Sequence, residues 1–192
     1  MAKKMSVAPL ARMAAVLTLI CALVAVLLSV VYALTDDAYQ QNLLQTKQRA
    51  IASLFALETV ETEALSTEGF AVEELYCVRQ DGAALGYCAN VKSAGFGGDI
   101  DMMVAVSPDG TLLGVKIVAM AETPGLGSRV GEDEHLDQYK GAFAYGDEEY
   151  LTLGEHVDAI SGATISSKAV HVGVNAALEA LLYYCQTGEV TQ

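Results

Sequence analysis

The sequence is poor in the residues that build metal centres. It contains four cysteines and three histidines, and no two cysteines form a Cys-x-x-Cys pair. His135, His156 and His171 do not stand at the spacing of metal ligands. Because iron–sulfur and zinc sites need closely spaced thiolates or imidazoles, the sequence predicts no metal site.

Basic residues are also few. The chain has 11 Lys and Arg against 24 Asp and Glu, which gives a net charge of −13 at pH 7. Proteins that bind nucleic acid need Lys and Arg to neutralise phosphates, so this balance argues against a nucleic-acid partner. Acidity keeps a domain soluble, and it identifies no partner by itself.

Several motifs of nucleotide-binding and hydrolytic enzymes are missing. Lys168 follows Ser167 and precedes Ala169, so the Gly-Lys-Ser/Thr end of a phosphate-binding loop is absent. Val130 stands where a dinucleotide fingerprint starting at Gly125 would need its third glycine. The Gly-x-Ser-x-Gly run of α/β-hydrolases does not occur either.

One long hydrophobic run is present near the N-terminus. Residues 13–35 carry no charge and are mainly Leu, Val and Ala, and a run of about 20 residues crosses a membrane as a helix. A cleaved signal peptide is the alternative, with an apolar core of about 7–15 residues and a small-residue cleavage site. The greater length and the poor cleavage site at residues 31–34 favour a retained anchor.

Charge predicts the orientation of this anchor. Lys3, Lys4 and Arg12 precede the run, and all 24 acidic residues follow it. The positive-inside rule therefore places the N-terminus in the cytoplasm and the rest of the chain outside the cell membrane. The predicted organisation is a cytoplasmic tail (1–12), a transmembrane helix (13–35), a helical stalk (36–65) and a domain (66–192).

Two hairpins are predicted in the domain. Strands over 76–79 and 85–91 flank Asp-Gly, and strands over 100–106 and 112–118 flank Pro-Asp-Gly. On the second hairpin we expect one shared apolar face, made of Met103, Ala105, Leu113, Val115 and Ile117. Cys77 and Cys88 flank the first turn, and spacing alone leaves a disulfide and two free thiols equally open.

Helical patterns surround the strands. Residues 39–57 have no Gly or Pro, and 67–74 and 132–139 suggest short helices. Residues 165–185 predict a long helix whose apolar stripe is Val170, Val174, Ala177, Leu181 and Tyr184. The fold class is therefore α+β, with one N-terminal transmembrane helix, antiparallel hairpins and a C-terminal helix.

The run before the last helix carries the most chemistry. A helix N-terminus offers unpaired N–H groups and the positive end of the dipole, which suits a phosphate. The run and first turn offer small residues, hydroxyls and one cation: Ser161, Gly162, Ala163, Thr164, Ser167 and Lys168. On these residues alone, plain helix capping and a phosphate site are both open.

Asp158-x-x-Ser161-Gly162-Ala163-Thr164 resembles the flavinylation signature of the FMN-binding domain family. That family includes the G subunits of Rnf electron-transport complexes and the C subunits of sodium-pumping NADH:quinone oxidoreductases. There the final Thr carries FMN through a phosphoester bond, which a flavin transferase forms from FAD with Mg²⁺. The resemblance implies covalent FMN on Thr164, with Asp158 acting as a local base or helping to bind the metal of the transferase; simple capping or solvation of Asp158 is the alternative.

A second run is also similar to the family. Residues 122–127 and the glycine-rich residues 95–98 match its two further runs. The resemblance implies that Leu126 contacts the flavin ring and that Glu122 and Thr123 bond its polar edge, with Gly125 shaping the loop.

The resemblance implies an electron-carrier subunit, without independent catalysis, of an Rnf-type complex that couples ferredoxin:NAD oxidoreduction to Na⁺ or H⁺ transport. Its partners would be the other membrane subunits and, during maturation, the flavin transferase. A stand-alone extracellular FMN protein, the C subunit of the quinone-reducing pump and a scaffold without cofactor are the alternatives.

Overall fold

The computed structural model describes residues 7–144 and 150–187. The chain divides into two compact units, Met1–Leu44 and Gln45–Gln192. The helices are α1 (Val7–Phe55), α2 (Asp133–Leu136) and α3 (Thr164–Thr187), with 3₁₀ turns at Gly127–Gly131 and Asp137–Tyr139. The strands are β1 (Glu61–Leu65), β2 (Glu74–Gln80), β3 (Ala83–Ala94), β4 (Asp99–Val106) and β5 (Leu112–Met120).

The first unit consists of the greater part of α1. Residues 11–35 are all exposed, and the helix is long and apolar enough to cross a membrane over Ala11–Phe55. This agrees with the expected N-terminal helix, since apolar side chains without protein neighbours are suited to contact with lipid. Lys3 and Lys4, two of the cations that predict the orientation, lie outside the described residues.

α1 ends at a left-handed residue. Ala56 has φ +54°, the Leu57 N–H donates to Ala52 O at 2.8 Å, and the Ala56 N–H donates to Ser53 O at 3.4 Å. These two bonds form a Schellman motif, in which glycine usually occupies the left-handed position. The helix therefore stops two residues before the end expected from composition.

The five strands form one antiparallel sheet in the order β1-β2-β3-β4-β5. Both predicted hairpins are confirmed, the first turning at Asp81 and Gly82, which have φ +52° and +81°. Positive φ at both central residues matches the right-handed twist of hairpin strands, and Asp-Gly tolerates it. The short connections fix the register and bring the ends of β3, β4 and β5 close together.

The sheet is covered on both faces. α3 packs on one face with Met102, Val104 and Val115, and the last turns of α1 pack on the other with Met103 and Ala105. The expectation of one shared apolar face on the second hairpin is therefore wrong. Because apolar side chains cover both faces of the sheet, both sets of alternating strand residues are hydrophobic. The sequence of the strands therefore does not show which residues share a face.

The two cysteines of the first hairpin lie on opposite faces. Cys77 pairs with Tyr87, and Tyr76 pairs with Cys88, so the cysteines are one residue out of register. Successive strand residues point to opposite faces. Cys77 accordingly packs beneath α3 and Cys88 beneath α1, and both thiols are free.

Two further expectations are wrong. Residues 61–65, assigned to the helical stalk, form β1, because Leu65 is buried opposite Leu75 at the edge of the sheet. Residues 67–73 form turns and bends rather than a helix, with Gly69 at φ +88°, and Glu74 begins β2. Phe70 and Val72 from this segment pack against the core, and this tertiary contact outweighs local helix propensity. The last helix and its buried stripe are confirmed.

Candidate functional site

Three segments meet at one end of the second unit. They are the loop between β3 and β4, the segment after β5, and the N-terminus of α3. Together they enclose a cavity of about 300 Å³. Its lining residues are Phe96, Glu122, Thr123, Leu126, Gly127, Gly162, Ala163, Thr164, Ile165 and Ser166.

Glu122 joins the first two segments. It is buried, and its Oε1 accepts the Phe96 N–H at 2.7 Å and the Gly97 N–H at 3.3 Å. Its Oε2 is also buried and has no hydrogen-bond partner among the residues described. Glu122 therefore holds the β3–β4 loop in place, and its second carboxylate oxygen is buried without a hydrogen-bond donor among the described residues.

Glycines make this close approach possible. A Cβ on Gly95 would lie 2.1 Å from Glu122 Oε1, and one on Gly127 would lie 2.3 Å from Glu122 Oε2. A Cβ on Gly97 would lie 2.3 Å from the backbone oxygen of Ala121. Backbone atoms cannot move away easily, so Gly97 is required beside Ala121 O, and Gly95 would also meet Gly98 O at 2.8 Å. At Gly127 a side chain would require the Glu122 carboxylate to shift.

A tight turn follows Glu122. Thr123 O accepts the N–H groups of Leu126 and Ser128, each at 3.2 Å, and the Gly125 N–H donates to Ser128 Oγ at 2.9 Å. Gly125 has φ +74°, which the turn requires. The turn places the half-exposed Leu126 side chain on the cavity rim.

The signature run folds back onto its own helix. The Ile160 N–H donates to the buried Ser167 Oγ at 3.0 Å, and the Ala163 N–H donates to Ile160 O at 2.9 Å. Gly162 makes the reversal at φ +82°. Thr164 is then the first residue of α3 and is exposed at the cavity.

Asp158 lies at a second, smaller cleft of about 140 Å³. Its N–H donates to Gln138 Oε1 at 2.8 Å, and His135 lines the same cleft. Asp158 is not among the residues that line the cavity at Thr164. The signature run therefore contributes to two separate depressions.

The predicted site residues fall into two groups. Those lining the cavity are Glu122, Thr123, Leu126, Gly162, Ala163 and Thr164. Those outside its lining are Ser161, Ser167, Lys168, Gly125 and Asp158; Ser167 and Gly125 instead shape the two turns.

Sequence reasoning did not single out four lining residues, Phe96, Gly127, Ile165 and Ser166. Two of them, Phe96 and Gly127, lie in the runs 95–98 and 122–127 that resemble the family. Phe96 and Ile165 are 70% and 54% exposed, so neither is part of the core. A large aromatic residue between glycines in a loop was the available signal for Phe96. The other three line the cavity because of the way α3 and the turn after Glu122 are oriented towards the β3–β4 loop. A single sequence does not reveal this orientation.

This arrangement suits a ligand with two unlike parts. The first turn of α3 leaves the N–H groups of Thr164, Ile165 and Ser166 without partners in the helix, and these groups attract an anion. Phe96, Leu126 and Ile165 offer exposed apolar surface to an uncharged ring system.

Comparison with known proteins is consistent with this description. The sequence model of the FMN-binding domain matches residues 95–179, a range that includes all three segments of the cavity.

Two relatives align along most of the chain. The G subunit of the proton-translocating ferredoxin:NAD⁺ oxidoreductase complex of Clostridium ljungdahlii is 30% identical over 169 residues, covering 85% of this chain and 86% of that protein. The G subunit of the ion-translocating oxidoreductase complex of Methanosarcina acetivorans is 32% identical over 171 residues, covering 85% and 89%.

The fold is similar to a solved structure. The C subunit of the Na⁺-translocating NADH-quinone reductase from Parabacteroides distasonis superposes with a TM-score of 0.61 at 20% identity. The match covers 79% of this chain and 97% of that one. At this identity the likeness shows the fold alone.

Proposed function

The chain belongs to the FMN-binding domain family together with the G subunits of ion-translocating oxidoreductase complexes, and on this premise we propose that it is the electron-carrying G subunit of an Rnf-type membrane complex. Bound FMN accepts and releases one or two electrons, and the polypeptide binds and orients it. The reaction of the complex would be electron transfer between ferredoxin and NAD⁺, coupled to ion transport, as the name of the Clostridium relative describes.

The cavity residues fit FMN. The cavity has a volume of about 300 Å³, which is at the lower end of the roughly 300–1,000 Å³ range of ligand pockets. A small cavity suits a cofactor that keeps part of its surface exposed for electron exchange. Phe96, Leu126 and Ile165 supply apolar contacts for the ring system. Glu122 holds the loop that places Phe96 at the cavity, through the Phe96 N–H that donates to its Oε1 at 2.7 Å.

We place the covalent attachment at Thr164. In the maturation step, Thr164 Oγ1 forms a bond to the FMN phosphorus of FAD, the pyrophosphate bond breaks, AMP leaves, and the hydroxyl proton passes to a base of the transferase. The product phosphate would lie at the N-terminus of α3, where the free N–H groups and the helix dipole stabilise its charge. Asp158 lines a separate cleft, so we assign it to recognition by the transferase rather than to flavin binding.

The observation that carries this proposal is that the exposed Thr164 is both the first residue of α3 and part of the cavity wall. The test is co-expression of the full chain with a flavin transferase, followed by a denaturing gel viewed under ultraviolet light. We expect a fluorescent band that Thr164→Val abolishes.

Thr123→Val is the matched control, because Thr123 offers a second hydroxyl in the same cavity. It should keep the fluorescence, and peptide mass spectrometry should locate the FMN on the peptide that contains Thr164. A colourless wild-type band, or fluorescence that persists in Thr164→Val, would refute the attachment site.

We propose further that α1 anchors the chain with its N-terminus in the cytoplasm. The motivation is the charge distribution, with Lys3, Lys4 and Arg12 before the apolar run and all acidic residues after it. An alkaline phosphatase fused to the C-terminus should be active, since that enzyme needs export. An inactive phosphatase fusion, together with activity of a cytoplasmic reporter fused at the same position, would show the opposite orientation.

The C subunit of a sodium-pumping NADH:quinone oxidoreductase is the second candidate, because the fold is similar to the Parabacteroides protein. The two differ in their partners. Affinity purification from native membranes should recover the other Rnf-type subunits; recovery of quinone-reductase subunits would favour the second candidate.

A further inference from the structure

The second cleft is formed by the α2 region and by the start of the signature run, residues 158–160. The side chains that line it from the α2 region are Arg129, Glu132, Glu134, His135 and Gln138. The Asp158 N–H donates to Gln138 Oε1, which fixes the backbone and leaves the Asp158 carboxylate exposed. The cleft holds about 140 Å³, well below the roughly 300–1,000 Å³ of small-molecule pockets. Its size therefore suits one side chain rather than a cofactor.

The cleft carries an excess of negative charge. It is lined by three carboxylates, those of Glu132, Glu134 and Asp158, against one cation, Arg129. Arg129 Nε lies 3.9 Å from Glu132 Oε2, so the cation is opposed by one of the three. Glu134 and Asp158 form no ion pair among the described residues. A ligand that enters the cleft meets two carboxylates without a counter-charge, which favours a cation.

A buried histidine is an independent sign of a missing ligand. His135 is 3% exposed and lines the cleft, and neither of its ring nitrogens has a hydrogen-bond partner among the described residues. Burial lowers the pKa of His135, so the ring is neutral and one nitrogen is an acceptor. Buried polar atoms are almost always paired. A ligand with N–H groups would supply the donor that this nitrogen lacks.

A side-chain cation fits these groups better than a metal ion. No group of three His, Cys, Asp or Glu side chains that could hold a metal occurs within residues 7–144 and 150–187. A guanidinium group has five N–H donors in a planar fork and remains charged at every physiological pH. It can therefore bond two carboxylates and an imidazole nitrogen at the same time.

The cleft is held close to Thr164. Ile160 lines the cleft, its N–H donates to Ser167 Oγ on α3 at 3.0 Å, and its O accepts the Ala163 N–H at 2.9 Å. Asp158 and Thr164 are six positions apart, and an extended chain of that length spans at most about 22 Å. A standard protein interface of about 800 Å² on each partner is about 30 Å across. A protein that reaches Thr164 can therefore cover the second cleft as well.

We propose that the second cleft binds an arginine side chain of the flavin transferase and so docks that enzyme beside Thr164. The inference rests on the proposed attachment of FMN to Thr164, and it adds the chemistry by which the partner is recognised. The carboxylates of Asp158 and Glu134 bond the guanidinium group, and His135 accepts a further N–H. Asp158 then contributes to binding of the transferase rather than to the chemical step.

The test is the rate of flavin attachment to the purified full chain in detergent micelles, with a flavin transferase, FAD and Mg²⁺. Varying the concentration of the chain separates its KM from kcat. Asp158→Asn and Glu134→Gln each keep the shape of the side chain and remove one charge. We expect each to raise KM by about tenfold with kcat little changed, because a charge-assisted hydrogen bond is lost. Glu134 lies on α2, outside the signature run, so a base or metal ligand at residue 158 would not explain its effect.

Glu155→Gln is the matched control, because Glu155 is an exposed carboxylate near Asp158 that does not line the cleft. It should leave KM unchanged. All three variants should keep the melting temperature of the wild type, since these carboxylates are exposed. In a chain labelled with ¹⁵N-histidine, transferase added without FAD should shift the ring nitrogens of His135. The signals of His171, whose Nε2 lies 2.7 Å from Leu151 O, should stay in place.

Three results would overturn the proposal. They are an unchanged KM in both cleft variants, a fall in kcat alone in Asp158→Asn with wild-type behaviour of Glu134→Gln, and unshifted His135 signals when the transferase is bound. A chain that binds the transferase with these KM effects and shifts, but carries its flavin on another residue, would instead contradict the attachment site and support the docking cleft.

Discussion

Glu122→Ala tests the role of the buried carboxylate in shaping the cavity. The substitution removes the acceptor of the Phe96 and Gly97 N–H groups. A hydrogen bond to a charged group contributes about 1.5–3 kcal/mol, and a longer one such as that to Gly97 about 0.5–1.5 kcal/mol. Removing the unpaired Oε2 from the interior offsets part of this loss, so we expect a net destabilisation of about 1–3 kcal/mol.

Glu122→Gln keeps an oxygen acceptor and loses only the charge. Its expected cost is therefore smaller, about 1 kcal/mol. Glu132→Ala is the control, because Glu132 is an exposed carboxylate 3.9 Å from Arg129. Such a surface pair contributes about 0–1 kcal/mol.

Two measurements check the role of Glu122. Thermal unfolding of the full chain in detergent, followed by circular dichroism, should rank the variants wild type, Gln and Ala in falling stability. Hydrogen exchange should show loss of protection at the Phe96 and Gly97 amides in Glu122→Ala alone. Unchanged protection of these two amides would refute the role assigned to Glu122, whatever the melting temperature.

Three further predictions concern the rest of the second unit. Ala56→Gly should stabilise the protein by about 0.5–1 kcal/mol, since glycine takes the left-handed φ of +54° without strain; an unchanged or lower melting temperature would contradict this. Burial depresses the pKa values of His135 and His171 below 6.5 in the folded protein, so the unfolded state binds more protons. The free energy of unfolding should therefore be highest above pH 6.5 and should fall as the pH drops towards the folded pKa values. Replacing both histidines by Phe should make the free energy of unfolding less dependent on pH in this range. Reducing agent should leave the melting temperature unchanged, because Cys77 and Cys88 are free thiols on opposite faces; a drop on reduction would mean that the register is wrong.

Local patterns in the sequence were sufficient for most elements. Asp81-Gly82 predicted the first hairpin because that pair tolerates positive φ at both turn positions. The helical spacing of Val170, Val174 and Leu181 predicted α3 and its buried stripe. These features depend on residues that are close in the chain, so one sequence contains the necessary information.

Expectations failed where distant elements decide the structure. β1 exists because Leu65 meets Leu75 at the sheet edge. Residues 67–73 are irregular because Phe70 packs on the core. A disulfide between Cys77 and Cys88 is excluded by a register offset of one residue, which spacing along the chain cannot reveal.

The candidate site also combines features that the sequence predicts with features that only the tertiary structure shows. The run that ends at Thr164 and the turn at residues 122–127 are recognisable in the sequence, because each is a continuous segment with a particular backbone shape. The sequence by itself also predicted the apolar N-terminal helix, and it determines the excess of acidic residues that follows it. Only the tertiary structure brought Phe96 to the cavity and buried Glu122 Oε2 there. The reason is physical: a cavity is formed by segments far apart in the chain, and its unpaired groups appear only once the sheet and α3 have packed around them.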